Sequence, residues 1–156
     1  MTQDSTQRYL AFSLRSEQYA IPLLQVKEVI GMTEPTPIPQ TPPYFKGIIN
    51  LRGQVISVID LRSKLQLSKA EDGPETSIII LDHASLCLGV IVDSINSVLA
   101  LSSNDLSAPP DATDLKEAYL TGVARQENRL TLILDIGATL SIQDLNILSH
   151  NHKKAA

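Results

Sequence analysis

Residues 44–65, YFKGIINLRGQVISVIDLRSKL, align without a gap on residues 119–140, YLTGVARQENRLTLILDIGATL, and this internal duplication limits the folds open to the chain more than any other feature. The shift is 75 residues, from Tyr44 to Tyr119. Gly47, Asp60 and Leu65 meet Gly122, Asp135 and Leu140, while Ile48, Val55, Val58, Ile59 and Leu61 meet Val123, Leu130, Ile133, Leu134 and Ile136. Upstream, residues 20–30 (AIPLLQVKEVI) lie over residues 89–99 (GVIVDSINSVL) at a shift of 69. The six-residue difference falls in the connectors, 13 residues from Gly31 to Pro43 against 19 from Ala100 to Ala118. A repeat of this length is one folding unit used twice.

The repeat changes what 156 residues imply. Two lobes of roughly 60–70 residues sit at the marginal end of independent stability, so each is expected to depend on the other. The polar, turn-rich joint SKAEDGPE at 68–75 separates an expected first lobe at 8–67 from a second at 76–140. With 4% aromatic residues and no Trp, the cores must be aliphatic. No run of 18 apolar residues offers a membrane span, and the start of the chain lacks a signal-peptide pattern, which predicts a cytoplasmic protein with no direct membrane insertion. A net charge of −4 and a pI near 5.3 argue against a nucleic-acid partner, whose backbone demands a basic stripe. Cys87 is the only cysteine, so an internal disulfide or a CxxC pair is impossible, and its neighbours SLCLGVIVD favour a buried structural thiol.

Strand signals dominate. Residues 9–14 and 19–24 flank the polar stretch Arg15-Ser16-Glu17-Gln18 and read as a hairpin, with Pro22 acceptable at an edge or bulge. Thr33 to Pro43 holds five prolines and reads as an extended, stiff segment that keeps the halves of its lobe apart. Residues 45–51 and 54–61 form a second hairpin around Arg52-Gly53, where Gly53 supplies a positive φ. The second copy follows in the same order at 76–81, 86–92, 119–125 and 129–136. A short helix is expected at 141–149, capped by Ser141 with Asp144 in its first turn, one helical turn within 112–118, and a frayed tail. Two repeats of about five short strands predict an all-β protein of twin small barrels, closed so that no sheet edge is left open, with a groove between them.

A search for catalytic sets finds no phosphate loop, no HExxH and no GxSxG. His83 stands near a turn, and His150 and His152 belong to the tail. Asp60 and Asp135 are equivalent in the repeat, which favours a turn-capping role over paired general acid and base. Arg52 is different, because the repeat places Glu127 opposite it, and Asn50 and Gly53 face Arg125 and Asn128. The NLRG turn is therefore specialised in copy one alone. Val26, Val29 and Ile30 break strict alternation, and the three-residue step recurs at Ile95 and Val98, which predicts a bulge in each copy that leaves apolar side chains outside the barrel. Two other readings compete with a binding role for these residues. A small enzyme or ligand-binding barrel would draw on Asp60, Arg52 and Tyr119. A single-strand nucleic-acid binder would need stacking aromatics and a basic groove that the composition does not supply.

The runs YAIPLLQVKEVI, PTPIPQTPPYFKGIINLRGQVISVIDLRSKL, GVIVDSINSVL and YLTGV resemble the CheW family of chemotaxis coupling proteins over residues 8–148. The resemblance implies two SH3-like five-stranded barrels, no enzymatic activity and no cofactor. It also implies a protein that links the cytoplasmic tips of chemoreceptors to the regulatory domain of the histidine kinase CheA, monomeric alone and arrayed with its partners beneath the inner membrane. Carried over residue by residue, it assigns receptor binding to Val26, Glu28, Val29, Asn50, Arg52 and Gly53, with Glu28 and Arg52 forming a charge-assisted pair and a helical receptor tip seated in a groove. Leu86, Val90, Leu99 and Leu101 are the expected kinase-facing residues.

Overall fold

The computed structural model describes residues 6–67, 72–83, 86–108, 120–126 and 128–139. The expected helix at 141–149, the turn within 112–118, Tyr119, Glu127 and the histidines of the tail lie outside the described residues. Eleven strands are described: β1 (Gln7–Leu14), β2 (Glu17–Pro22), β3 (Val26–Gly31), β4 (Phe45–Leu51), β5 (Gln54–Asp60), β6 (Ser77–His83), β7 (Leu86–Val92), β8 (Ser94–Leu101), β9 (Leu106–Ser107), β10 (Leu120–Gln126) and β11 (Arg129–Leu134), with short helices α1 (Leu61–Lys64) and α2 (Ile136–Thr139). They form two sheets, of order β8-β1-β2-β11-β10-β9 and β3-β6-β7-β5-β4. The all-β, twin SH3-like architecture expected from the sequence is the one observed.

The two copies of the repeat are superposed strand for strand in these sheets. The parallel pair β5–β7 sets Ser57 against Leu88, and its equivalent β11–β2 sets Leu132 against Tyr19. Bulges recur at equivalent places: the register slips at Lys27 in β3 and at Asn96 in β8, and again at Lys46 in β4 and Thr121 in β10. The irregularity read from Val26 and Val29 is thus a bulge, as expected, and it turns Lys27 out of the alternation.

The sheets do not follow the two halves of the chain. Hairpin β1–β2 pairs with β8 and β11 of the second copy, and hairpin β6–β7 pairs with β3 and β5 of the first. Each half, 8–67 and 76–140, therefore contributes strands to both sheets, and the duplicated unit is one of sequence rather than of packing. The chain changes sheets at the 3₁₀ turn Leu23–Gln25 and at Asp93.

Among the described residues, the buried apolar side chains form three clusters. Tyr9, Ala11, Ala20, Leu101, Ala124 and Ile133 fill the first barrel, and Ile49, Ile56, Val58, Ile78, Ile80 and Ile91 fill the second. The largest cluster takes Leu10, Phe12, Leu14 and Ile21 from the first sheet, Ile59, Leu81 and Val90 from the second, and Leu61 from α1. Alternate residues of one strand, such as Ile78 and Ile79, thus serve different cores. That is why β1 and β6 read as continuous apolar runs rather than as alternating ones.

Both barrels close by one device. Thr36 exchanges two backbone hydrogen bonds with Ile48 of β4, at 2.8 and 2.9 Å, and β9 pairs in the same way with Val123 of β10. The proline-rich segment, expected to hold its neighbours apart, instead brings the chain after β3 onto β4. Gly47 has φ +133°, and a Cβ there would overlap the Thr36 carbonyl; at Gly122, its equivalent, a Cβ would lie 3.1 Å from the Ser107 carbonyl oxygen. The matched glycines of the repeat are thus explained by close backbone approach. The β1–β2 turn is also tighter than expected, with Leu14 opposite Glu17 and Arg15 at φ +59°, so Gln18 belongs to a strand and is buried.

Because neither sheet can be assembled from one half, a fragment comprising residues 1–67 is expected to give a disordered circular dichroism spectrum and no cooperative melt. A folded fragment with a sharp transition would show that the hairpin exchange is dispensable.

Candidate functional site

Residues Asn50 to Gln54 make a tight hairpin turn in which Arg52 and Gly53 both have positive φ, +52° and +85°. Two consecutive positive φ values are those of a type I′ turn, whose twist suits a hairpin. Asn50 Oδ1 accepts a 2.9 Å hydrogen bond from the Gly53 N–H and holds the turn. Asn128, the counterpart of Gly53, keeps the positive φ at +67°, as asparagine tolerates it better than most residues.

The turn projects Arg52 across the barrel. Arg52 Nη1 donates to both carboxylate oxygens of Glu28, at 2.7 and 2.8 Å. Glu28 stands on β3 and Arg52 follows β4, the two outer strands of the five-stranded sheet, so the pair spans the seam that the Thr36 bridge closes. The bond to Glu28 and its negative charge raise the Arg52 pKa above its ordinary value. With Arg52 74% exposed, the pair is a surface feature that contributes position and charge more than stability.

Around it, Lys27, Leu51, Gln54, Ile56, Ile80 and Cys87 complete a concavity of about 220 Å³ at the mouth of the second barrel. Cys87 is half-buried there, and burial pushes its thiol pKa up, the direction expected of an unreactive thiol. Val26 is half-buried against the inter-sheet core, whereas Val29 points outward on the same strand. Leu24, in the turn just before β3, is fully exposed. The structure thus brings Glu28 against Arg52, in a turn held by Asn50 and Gly53, and places Val26 and Val29 on the same strand as Glu28.

The other expected residues separate. Val90 lies in the inter-sheet core at 2% exposure and Leu101 in the core of the first barrel at 1%, so neither side chain presents a surface to a partner. Val90 sits in a strand apolar on each face and Leu101 ends the apolar run VLAL, where sequence pattern does not tell core from contact. Leu99 is half-buried at the rim of the first barrel, and Leu86 opens β7. Asp60 and Arg52 do not form a shared polar set, because Asp60 is buried and committed elsewhere.

That commitment is to Arg62, which the sequence reading passed over. Asp60 Oδ1 accepts from the Arg62 N–H at 3.0 Å, capping α1 as expected, and its carboxylate also receives Arg62 Nε at 2.9 Å and Nη2 at 3.0 Å. Arg62 Nη2 reaches Asp72 and Nη1 reaches Asp93, each at 2.9 Å. The second Asp93 oxygen accepts the Arg15 backbone N–H, so one guanidinium, 5% exposed, ties α1, the joint, the β7–β8 crossover and the β1–β2 turn together. Its pKa is raised, chiefly by the Asp60 bond. The repeat carries the signal that finds it, since Gly137 stands opposite Arg62.

A twin-barrel, all-β chain with this ion-paired turn fits a protein that works through its surfaces. The model of the CheW-like domain matches residues 8–144, and the chain belongs to that family of chemotaxis scaffold proteins. It is 32% identical over 145 residues to a chemotaxis protein CheW of Klebsiella aerogenes, covering 92% of this chain and 87% of that one. To a chemotaxis protein CheW of Bacillus subtilis it is 36% identical over 135 residues, 86% of each. The crystal structure of the scaffolding protein TtCheW from Thermoanaerobacter tengcongensis superposes with a TM-score of 0.83 at 30% identity, covering 89% of this chain and 95% of that one. Among the described residues no helix is long and apolar enough to cross a membrane.

Replacing Arg62 by Met leaves buried Asp60 without its partner and is expected to cost roughly 3 kcal/mol in urea unfolding. Arg52→Met, in solvent, is expected to leave the midpoint unchanged. Equal midpoints for the two variants would remove the structural role assigned to Arg62.

Proposed function

We propose that this chain is a non-enzymatic adaptor that couples the cytoplasmic tips of chemoreceptors to the regulatory domain of the CheA histidine kinase, acting in the cytoplasm at receptor arrays. The observation that carries this reading is the Glu28–Arg52 pair, placed at the seam of one barrel beside the outward-facing Val29 on a chain of the CheW-like family. Val26, Glu28, Val29, Asn50, Arg52 and Gly53 form the receptor-binding edge in this proposal. The pair holds the edge of β3 against the β4–β5 turn, so an incoming helix meets a fixed charge pattern flanked by apolar side chains. The kinase-facing surface includes Leu99 on the opposite barrel.

An adaptor transmits a signal only if its contacts differ in free energy between the states of the receptor. The exposed pair suits such a role, because its partners can exchange with receptor groups without leaving a buried charge unpaired.

Calorimetric titration with the CheA regulatory domain from the same genome is expected to show saturable one-to-one binding. Receptor binding by Glu28→Ala, Arg52→Ala and the double variant is expected to be non-additive, with a coupling factor of roughly twofold or more. Absence of kinase binding by a folded sample, or strict additivity of the two substitutions, would overturn the corresponding half of the proposal.

A further inference from the structure

The mouth of the first barrel is the duplicate of the Glu28–Arg52 site, and its chemistry is inverted. A concavity of about 660 Å³ opens there, lined by Gln18, Ser97, Leu99, Asp105, Arg125, Gln126, Arg129 and Thr131. By the repeat, Gln18 stands where Cys87 stands in the other mouth, Thr131 where Ile56 stands, Gln126 where Leu51 stands and Arg129 where Gln54 stands. Ser97 takes the place of Glu28. One mouth therefore holds an internal carboxylate against an arginine, while the other has arginines and no carboxylate at that position.

The floor is a built polar surface. Gln18 and Thr131 lie on the interior face of the barrel, 7% and 3% exposed. Gln18 Nε2 donates to Thr131 Oγ1 at 2.7 Å, and Gln18 Oε1 accepts from Asn96 Nδ2 at 2.9 Å. Asn96 also exchanges hydrogen bonds with Ser13, so a polar chain crosses the four adjacent strands β8, β1, β2 and β11. With the Gln18 carbonyl oxygen and one Thr131 lone pair engaged, what remains includes the second Gln18 amide hydrogen and the Thr131 hydroxyl hydrogen. At the rim, Arg125 and Arg129 are exposed and make no ion pair among the described residues. Asp105 is turned to its own loop, where one carboxylate oxygen accepts from the Ser102 N–H at 2.9 Å and hydroxyl at 3.2 Å. Glu127, which stands between the arginines in sequence, lies outside the described residues.

We propose that this mouth binds the oxyanion of a small molecule, a carboxylate or a phosphate group, seated against Arg129, which shares the interior face with Thr131, above the donors of Gln18 and Thr131, while Arg125, paired with Leu130 on the outer face of the same hairpin, adds positive charge at the rim. The anion takes the place that the Glu28 carboxylate occupies in the duplicate mouth. Planar guanidinium groups suit bidentate recognition of such oxygens, and the neutral donors below fix its depth. This site is separate from the receptor-binding edge and does not depend on that reading.

The test is a two-dimensional NMR titration of the full chain with inorganic phosphate and, separately, with succinate, each against chloride at matched ionic strength. Saturable shifts of the Gln18 side-chain amide and of the Arg129 Nε–H group are expected with at least one of the two anions. Response to phosphate alone identifies a phosphoryl ligand, to succinate alone a carboxylate, and to both an oxyanion site without further selection. Arg125→Gln with Arg129→Gln, both surface changes that leave the rest of the spectrum in place, is expected to weaken binding roughly tenfold or more. Non-saturating shifts, shifts matched by chloride, or saturable binding undiminished in the double variant would overturn the proposal.

Discussion

A small barrel fills only one face of its strands from within, and the other face needs a cover. Here the cover is the second barrel. Phe12, Leu14 and Ile21 on one side and Ile59, Leu61 and Leu81 on the other form a single apolar layer whose members are almost fully buried. At about 1.5–3 kcal/mol for each large aliphatic or aromatic side chain withdrawn from water, this layer stabilises the molecule at least as much as either barrel interior. The first barrel makes the dependence plain, because three of the six buried apolar residues described in its interior are alanines, which contribute little area. Hairpin exchange adds covalent continuity to the same layer, since the chain must cross it to complete either sheet.

Two arginines divide the electrostatic work between them. Arg62 is desolvated, and a buried guanidinium persists only where carboxylates with good geometry surround it. Of its three aspartates, Asp93 stands where the chain changes sheet, Asp72 in the joint between the halves and Asp60 at the end of β5, which suits a structural hub. Arg52 lies in solvent with one partner. A pair of that kind costs little to open, so it can be part of an interaction surface without endangering the fold. The same residue type thus holds the scaffold in one place and presents charge in another, and burial decides which.

Duplication explains why asymmetry is informative. Where the copies agree, as at the bulges of Lys27 and Asn96 or the glycines 47 and 122, the shared residue answers a demand of barrel closure. Where they differ, the scaffold has imposed no demand. The two barrel mouths differ at nearly every lining position, one with aliphatic walls and an internal ion pair, the other with a hydrogen-bonded polar floor and rim arginines that make no ion pair among the described residues.

The choice of Glu28 as the partner of Arg52 came from the family resemblance, whereas strand positions, the bulges, the tight turn at Arg52-Gly53 and the capping role of Asp60 were legible in the residues themselves. They depend on spacing, on φ preference and on comparison of one copy with the other, which are local or internal properties. Gln18 was misplaced in a turn because a polar residue beside Arg15, Ser16 and Glu17 looks exposed until Thr131 and Asn96, far away in the chain, supply its hydrogen bonds. Arg62 shows the same limit: its contrast with Gly137 is visible in the repeat, but three carboxylates at positions 60, 72 and 93 become one cluster only in three dimensions. Val90 and Leu101 were legible as apolar, yet whether an apolar face meets a partner or the rest of the molecule depends on what packs against it. By itself the sequence determined the elements, their duplication and the all-β class. Tertiary structure alone decided which hairpin joins which sheet, since a strand apolar on both faces satisfies its local pattern beside any equivalent neighbour, and only the packed whole selects one.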